Sequence, residues 1–368
     1  MSHTLVCPPE HGRPQASKAR IKPMLLAPGL VLLTSGAWLA WRFHLASPDT
    51  PFVRDTLITS LALMLFVLLL LATLTLAFPR SRRPLAALLL AGLAGFTLWM
   101  QLREARNDGQ WMRAATVLPY ATLEGGRVTV HHIHNFDYRT EGDYTPAYYD
   151  QHYELSQLER VDWGLSYWGD PDAAHVFLSF VFSDGRALSL SLAPRLQQGQ
   201  HFAPLGGLLN QYPAYAMVAD ERDHIRLRTS FRLQPQEQVY LYRAKLSPQQ
   251  RQRLFLAFLA EINALRTKPA FYNILTNNCT SKLWDLNASI DPQHYPWNWR
   301  VFLSGHLPEY LYEHGLIETD GLTFAQLKHR AHINTRSLAA HFDSDYSQKI
   351  RETWPLAYYR KHAKRVVE

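Results

Sequence analysis

The stretch of sequence that decides the fold reads HVFLSFVFSDGRALSLSL and spans residues 175–192. Within it, two runs rich in aromatic and aliphatic residues flank the pair Asp184-Gly185. An Asp-Gly pair between two such runs is a strong signal for a β-hairpin, so residues 175–182 and 187–192 are predicted to be adjacent antiparallel strands. Further strands are predicted on either side of this hairpin, at Val128–Ile133, Tyr215–Val218 and Val239–Tyr242.

Helix signals follow the last of these strands. Ser247 and Pro248 supply a capping residue and a first-turn proline, both of which are favoured at helix starts. Apolar residues then repeat at helical spacing, at Leu254, Phe258, Ile262 and Leu265. A shorter helix is predicted over Ser281–Asn287. Strands followed by helices in this order predict an α+β domain, which we place at residues 107–368.

The formal charge of the 368-residue chain is +7, and it is unevenly distributed. Residues 1–106 contain 11 Lys or Arg and 4 Asp or Glu, whereas the remaining residues contain 27 of each. The excess therefore belongs to the N-terminal part, and the predicted α+β domain is neutral. Because a nucleic-acid-binding domain needs a basic face of its own, we predict no nucleic-acid partner.

Three apolar stretches lie within the N-terminal part, at residues 24–40, 56–78 and 84–101. The second has no charged residue over its whole length, which is enough to cross a bilayer as a helix. The third contains Gly92 and Gly95, and small residues of this kind let membrane helices approach closely. Residues 1–106 are therefore predicted to form a membrane module of three transmembrane helices.

Basic residues beside these stretches predict the orientation of the module. Four Lys or Arg lie at positions 13–22 and three arginines lie at 80–83, whereas only Arg42 and Arg54 lie between the first two stretches. The positive-inside rule then places the N-terminus and the 79–83 loop in the cytoplasm. Three crossings deliver the α+β domain to the other side, which is the periplasm for a multi-pass protein in the inner membrane of a Gram-negative cell.

The two cysteines, Cys7 and Cys279, fall on opposite sides of the predicted membrane and so cannot form a disulfide. Cys279 follows Asn277 and Asn278, either of which can cap a helix that begins next to the cysteine. The unpaired N–H groups and the dipole of such a helix favour a thiolate, so we predict a lowered pKa and a nucleophilic thiol. His175, at the start of a predicted strand, is the candidate general base. The alternative is a buried, inert cysteine.

Four sequence blocks make the domain recognisable, and they are YWGDPDAAHVFLSFVFSDGR (167–186), GLLNQYPAYAMVADERDHIRLRT (207–229), FYNILTNNCTSKLWD (271–285) and WRVFLSGHLPEYLYEHGLIE (299–318). They resemble successive blocks of the Lnb N-terminal periplasmic domain family, and the resemblance extends over residues 110–340. This family is similar to the permuted NlpC-like branch of the papain superfamily. In that branch, as in lecithin:retinol acyltransferase, a histidine on a strand precedes a cysteine at a helix start, and His175 and Cys279 match this order.

The resemblance implies a lipoprotein N-acyltransferase activity. Cys279 would attack a phospholipid ester with His175 as general base, and an amine such as the N-terminus of a diacylated lipoprotein would resolve the thioester. Backbone N–H groups at the helix start, supported by Asn278, would stabilise the oxyanion. The resemblance implies no cofactor and no metal.

Two positions depart from the family pattern. Ala193 and Pro213 stand where glutamates are usual, and the first of these glutamates would orient the catalytic imidazole. A base without its orienting partner loses control of its tautomer, at a cost of up to ~10⁴ in rate. Ser191 is the candidate substitute, and the alternatives are a weakly active enzyme or a binding protein that descends from one.

Other residues have both a functional and a structural interpretation. Arg228 and the charged run Asp220–Asp223 form either a polar support beside the site or a solvated turn closed by ion pairs. Trp297, Trp299 and Arg300 are candidates to line the entrance for an acyl chain or a headgroup, with core packing as the alternative. His131, His132 and His134 lack a further ligand at suitable spacing, so no metal site is predicted there.

Two rival functions stay open at this point. A peptidase or amidase that acts on cell-wall peptide would use the same nucleophile with water as the acceptor. A non-catalytic scaffold of the cell envelope is favoured by Ala193 and Pro213. An apolar groove at Cys279 would favour acyl transfer, and a polar, open cleft would favour hydrolysis.

Overall fold

The structure, a computed structural model, describes residues 69, 72–73, 82–291, 295–296 and 298–353. The predicted span at 24–40 lies outside the described residues, as does the one at 56–78 apart from residues 69, 72 and 73. The third apolar stretch coincides with helix α1, Arg82–Leu102. Among the described residues, no helix combines the length and the apolar character that a membrane crossing requires. The chain divides into two units, and the boundary falls between Leu98 and Trp99.

The second unit is built on one large sheet. Its strands are β1 (Tyr120–Glu124), β2 (Arg127–His134), β5 (Tyr148–Glu154), β6 (Leu158–Tyr167), β7 (His175–Phe182), β8 (Ala187–Pro194), β9 (Tyr212–Asp220), β10 (Gln238–Arg243) and β11 (Phe271–Tyr272). The order is β1-β2-β9-β8-β7-β6-β10, with β5 paired to β2 and β11 to β9. Only β2 and β9 pair in parallel within the described sheet. The short strands β3 (Asp137–Tyr138) and β4 (Tyr144–Thr145) form a separate pair.

The helices of this unit follow the strands or connect them. They are α2 (Pro204–Leu208), α3 (Glu221–Arg226), α4 (Pro248–Thr267), α5 (Cys279–Ile290), α6 (Leu307–Glu313), α7 (Phe324–Ala331), α8 (Asn334–Ala339) and α9 (Tyr346–Lys349). The π-helical turn Leu227–Phe231 extends α3. Short 3₁₀ turns occupy Arg113–Ala115, Leu155–Gln157, Trp299–Val301 and Ser304–His306. The mixed α+β class is therefore confirmed.

The predicted hairpin is confirmed, since β7 and β8 pair in antiparallel fashion with Leu178 opposite Leu190. Gly185 takes a φ of 85° in the turn, a conformation that glycine adopts without steric cost. Ser247 caps α4 in a reciprocal capping box with Gln250, as the sequence predicts for this helix start. The strand predictions are also confirmed: β7 has the predicted bounds, and the other predicted strands extend by one to three residues at one end or at both.

One side of the sheet, which we call the apolar face, carries Val176, Leu178, Phe180 and Phe182 of β7. These side chains belong to one apolar cluster with residues of α4 and α5, among them Leu254, Phe258, Leu283 and Trp284. Alternate strand residues point to opposite sides, so a strand with this pattern buries its even-numbered residues under the two helices. Cys279 belongs to the same cluster.

The other side, which we call the polar face, carries His175, Phe177, Ser179 and Val181 of β7, and α3, α8 and α9 cover it. Phe177 packs with Ile225 of α3, Tyr346 of α9 and Ile333, which immediately precedes α8. Gly164 of β6 lies opposite Phe177, and a Cβ on Gly164 would come within 2.1 Å of the Phe177 ring. Glycine is therefore required at this position, because the aromatic ring crosses directly over its backbone.

Candidate active site

Cys279 is the first residue of α5, and Asn278 caps the helix. The Asn278 side chain accepts hydrogen bonds from the N–H groups of Thr280 and Ser281 at 2.8 and 2.9 Å. The Ser281 hydroxyl accepts in return from the Asn278 N–H at 2.9 Å. Of the two asparagines that the sequence offered, Asn278 therefore fixes the helix start that holds the cysteine.

The Cys279 thiol is buried against the backbone of β7. The sulfur receives a hydrogen bond from the Val176 N–H and lies 3.8 Å from the Thr280 hydroxyl. Val176 lies beyond the last residue pair that joins β7 to β8, so its N–H group is not part of the hydrogen-bond ladder between these strands. The thiol therefore lies at the point where these two strands separate.

The predicted lowering of the Cys279 pKa is wrong. Burial raises the pKa of the thiol, and the hydrogen bonds from Val176 and Thr280 oppose this rise only in part. The prediction considered the helix start alone, but the backbone N–H groups of Cys279 and Thr280 lower the thiol pKa less than burial raises it. Desolvation inside the apolar cluster outweighs what the helix start still offers, and the thiol rests in its protonated form.

His175 is the first residue of β7, and its ring lies on the polar face. The ring centroid is 5.6 Å from that of His224, in an edge-on arrangement, and 6.3 Å from that of Phe177. Its Nε2 atom is buried and has no hydrogen-bond partner among the described residues. Burial, together with the positive charges of Arg228 and Arg232, holds the pKa of His175 well below its usual range. The imidazole is therefore neutral at neutral pH.

The structure brings Cys279 and His175 together through the backbone and not through their side chains. The thiol contacts the amide of Val176, which is the next residue after His175. Because neighbouring strand residues point to opposite faces, the imidazole lies on the polar face while the sulfur lies on the apolar face. In the described part of the chain, no hydrogen bond joins the Cys279 sulfur to a ring nitrogen of His175.

Ser191 does not orient His175, contrary to the role suggested by the sequence. Its hydroxyl donates to the Val176 carbonyl at 2.8 Å and so fixes the strand beside the thiol. The side chain next to the imidazole is instead His224 of α3, whose Nδ1 is hydrogen-bonded to the Ser189 hydroxyl at 2.5 Å. His224 was not among the site residues predicted from the sequence. Its signal was its place directly after the charged run 220–223.

The charged run at 220–223 is not a solvated turn. Asp220 caps α3, Glu221 pairs with Arg351, and Asp223 accepts hydrogen bonds from the Phe136 N–H and the Tyr138 hydroxyl. Glu221 and Asp223 are both buried. The run therefore anchors α3 on the polar face, which agrees with the prediction of a polar support.

Arg228 is buried beside this run. Its guanidinium donates to the His224 carbonyl at 2.7 Å and lies 3.5 Å from a Glu237 carboxylate oxygen. Because these contacts engage the guanidinium inside the protein, a direct contact with substrate would first require them to break.

The aromatic group near residue 300 lies at the C-terminal side of α5. Trp297 is outside the described residues, and Trp299 is exposed and near His306. Arg300 forms an ion pair with Glu313 at 2.6 Å. Neither Trp299 nor Arg300 has a contact with Cys279 or His175 among the interactions of the described residues, so their role as an entrance stays a prediction.

The three histidines of β2 are each engaged separately. His131 binds the Asp150 carboxylate at 2.7 Å, His132 binds the Leu118 carbonyl at 2.9 Å, and His134 is hydrogen-bonded to the Tyr215 hydroxyl at 2.5 Å. Burial lowers the pKa of His134 to about 3. Each ring therefore has a structural partner of its own.

Comparison with known proteins finds one similarity. Residues 144–305 match the family model of the Lnb N-terminal periplasmic domain. No curated protein and no solved structure matches the chain. The matched segment runs from β4 to the turn before α6 and contains both His175 and Cys279. The resemblance seen in the sequence is thus confirmed over residues 144–305, which are similar to the Lnb N-terminal periplasmic domain.

Proposed function

We propose that this protein is a thiol acyltransferase with Cys279 as its nucleophile and His175 as its general base. The observation that carries the proposal is the position of Cys279 at the capped start of α5, with its thiol against the amide that follows His175. Covalent acyl transfer needs a cysteine that a neighbouring base can reach. The match to the Lnb domain supports the same activity.

The reaction would proceed in two balanced steps. In the first, the thiol proton passes to the imidazole, the sulfur attacks the carbonyl carbon of a phospholipid ester, and the C–O bond breaks. The departing oxygen takes the proton and leaves as a lysophospholipid. In the second, the N-terminal amine of a diacylated lipoprotein attacks the thioester and the C–S bond breaks. The amine proton returns to the sulfur through the imidazole, which leaves an amide and a free thiol.

The His175 ring has to turn for the first step to occur. Rotation about its Cα–Cβ bond leaves the Cβ atom on the polar face, so the backbone at His175, the first residue of β7, would also have to change conformation to bring the imidazole to the sulfur. The neutral ring is already able to accept a proton, because burial and the nearby arginines lower its pKa. The raised pKa of Cys279 keeps the thiol protonated until the base arrives.

The N–H of Cys279 is the group that we assign to the oxyanion. The next two N–H groups of α5, those of Thr280 and Ser281, are occupied by the Asn278 side chain. Asn278 would therefore support catalysis by fixing the helix start and not by donating to the substrate.

We further propose that residues 1–106 anchor the domain to the inner membrane, with the N-terminus in the cytoplasm. The description of the matched family is that of a periplasmic domain, which agrees with this orientation. Anchoring would keep the site near the phospholipid that donates the acyl chain, and near lipoproteins held in the same bilayer.

Trapping the thioester tests the proposal. Full-length protein in phospholipid vesicles, without an acceptor, should gain one acyl chain that hydroxylamine removes, as measured by intact-mass spectrometry. Cys279→Ser should not form this thioester, and His175→Gln should slow acylation by about 10²–10⁴. Cys7→Ser is the matched control and should acylate normally. Wild-type protein that gains no acyl chain from abundant phospholipid would overturn the proposal.

A non-catalytic binding role is the second candidate, and the separation of the thiol and the imidazole onto opposite faces favours it. In that case Cys279 should accept an acyl group neither from phospholipid nor from a soluble short-chain thioester. A third outcome, in which the acyl-enzyme forms but water discharges it as fast as an amine does, would identify a hydrolase.

A further inference from the structure

We infer that a patch of exposed apolar side chains beside the start of α5 inserts into the headgroup layer of a phospholipid bilayer. The inference rests on the proposed function and deepens it, because it explains how the acyl donor reaches Cys279. We call this surface the loop patch, and its members are Trp99, Leu102, Phe202, Leu208 and Leu275. Their exposed fractions range from 37% to 72%, which is high for side chains of this size.

Hydrogen bonds hold the three segments that carry the loop patch together. The Asn273 side chain donates to the Leu208 carbonyl at 3.0 Å, and the Arg103 side chain donates to the Leu209 carbonyl at 3.0 Å. The Arg103 guanidinium also lies over the rings of Trp99 and Phe271, at 5.0 and 5.1 Å from their centroids. The end of α1, the α2 segment and the turn before Cys279 therefore form one surface.

The loop patch adjoins the surroundings of the thiol. The ring of Phe202 packs edge-on against Tyr272 at 6.0 Å, and Tyr272 belongs to the same apolar cluster as Cys279. Asn278, which caps α5, donates to the Ile274 carbonyl at 2.6 Å, next to Leu275. An acyl chain that enters through the loop patch would therefore meet Tyr272 and then the thiol.

The segments of the loop patch that follow α1 are free of formal charge. Residues 196–219 and 269–281 contain no Asp, Glu, Lys or Arg, in a chain of which 19% is charged. A water-facing surface ordinarily carries charged residues of both signs. Trp99 and Arg103 add an aromatic ring beside a cation, which is typical of residues at the membrane interface.

A bilayer fits the loop patch better than a second protein copy does. The chain that precedes α1 contains the uncharged apolar stretches 24–40 and 56–78, so it reaches the domain from the predicted membrane module. Trp99 and Leu102 lie in the last turn of α1, where the chain leaves the predicted membrane module and enters the domain. The loop patch thus begins at the point of the domain that is nearest along the chain to the predicted membrane.

Site-specific photocrosslinking tests the inference. A benzophenone amino acid replaces Leu208 or Leu275 in full-length Cys279→Ser protein, which is reconstituted in vesicles of phosphatidylethanolamine and phosphatidylglycerol. We expect lipid adducts at both positions and none above background at Phe342, a control side chain that is 84% exposed and outside the loop patch. Equal lipid labelling at Phe342, or crosslinks between two copies in place of lipid adducts, would overturn the inference.

The crosslinking does not depend on acyl transfer, because its background lacks the thiol, so its failure is distinguishable from failure of the proposed function. A second variant examines the catalytic consequence. Leu208→Asp combined with Leu275→Asp should reduce acylation from vesicle phospholipid about tenfold or more and leave acylation by a soluble short-chain thioester unchanged. Phe342→Asp should affect neither donor. If the double variant lost acylation equally with both donors, or lost it with neither donor, the loop patch would have no specific role in reaching lipid.

Discussion

The apolar face and the polar face of the sheet are formed by alternate residues of the same strands, yet they bury different chemistry. On the apolar face, Val176 and Leu178 pack in an apolar cluster with residues of α4 and α5, and the ion pair Lys282–Glu261 that joins these helices is only part-buried. On the polar face, Arg351 donates to the carboxylates of Asp162 and Glu221 and to the Ser179 hydroxyl. These two carboxylates are fully buried.

This difference places the two proposed catalytic groups in contrasting surroundings. On the apolar face, desolvation raises the pKa of Cys279 and keeps the thiol neutral. On the polar face, burial and the arginines lower the pKa of His175 and keep the imidazole neutral. Neither group is charged at rest, so an ion pair between them would form only after the ring has moved.

The largest expected effect comes from the ion pairs of the polar face. Arg351→Met leaves Asp162 and Glu221 buried without their shared guanidinium, so we expect a loss of about 3–5 kcal/mol in the free energy of unfolding. Urea unfolding followed by tryptophan fluorescence measures it. Arg300→Met removes the partner of the exposed Glu313 carboxylate and should cost less than about 1 kcal/mol. Equal losses of unfolding free energy in the two variants would mean that the buried ion pairs of Arg351 do not stabilise the polar face.

A pH effect should also be specific to the polar face. Burial, as the largest cause, raises the pKa of Asp223 to about 6. The folded state therefore holds a proton that the unfolded state releases near pH 4, so this group stabilises the fold below pH 4 and loses that contribution as the pH rises through 6.

Asp223→Asn should remove this dependence. Relative to wild type, the variant should gain up to roughly 3 kcal/mol between pH 4 and pH 7. The comparison has to be made between variants, because His134, with its pKa lowered to about 3, gives the opposite dependence in acid. Glu124→Gln, at an exposed carboxylate, is the control and should leave the slope unchanged. Parallel curves for Asp223→Asn and wild type would contradict the assignment.

The contact between Gly164 and the Phe177 ring tests how tightly the polar face is packed at a single residue. Gly164→Ala places a methyl group against the Phe177 ring, which adjoins both His175 and His224, so we expect a loss of about 1–3 kcal/mol in unfolding free energy. The displaced ring should also alter the His175 NMR signals while leaving Cys279 alkylation unchanged. Gly142→Ala, where the added methyl meets nothing within 4 Å, should be neutral. An unchanged stability for Gly164→Ala would show that Phe177 has room to move.

The smallest effect is expected at the start of α5 on the apolar face. Asn278→Ala removes two capping hydrogen bonds and should cost about 0.5–2 kcal/mol. It should also accelerate alkylation of Cys279 by iodoacetamide, because the helix start that encloses the thiol is loosened. Ser247→Ala removes the equivalent cap of α4 and should have a similar cost in stability without the change in alkylation rate. If the alkylation rate of Asn278→Ala equalled that of wild type, the cap would not control the reactivity of the thiol.

Predictions from local sequence signals were largely confirmed. The hairpin at Asp184-Gly185 and the start of α4 at Ser247 depend on residues within a few positions of one another. The alternation of residues along β7 is also a local signal, and it indicates on which face His175 lies. Apolar residues at 176, 178, 180 and 182 alternate with His175 and Ser179, so the histidine shares a side with the serine.

Predictions that depend on tertiary packing failed or were missed. The pKa of Cys279 follows from its enclosure by residues of distant strands and helices, which no helix-start argument includes. Ser191 was assigned from its proximity in sequence to Ala193, but hydrogen bonding to Val176 decides its orientation. The pairing of Glu221 with Arg351 joins residues 130 positions apart and has no local signature.

The position of Arg351 also has a consequence for the order in which the domain is completed during synthesis. Asp162 and Glu221 precede their shared arginine by 189 and 130 residues. At a synthesis rate of 5–20 residues per second, Arg351 is therefore made roughly 10 s after Glu221. Arg160 can pair with Asp162 before then, but closing the polar face would bury the Glu221 carboxylate without its cation, which is strongly unfavourable. A chain truncated before residue 351 should therefore stay open on this face, with α3 undocked and accessible to proteases and chaperones.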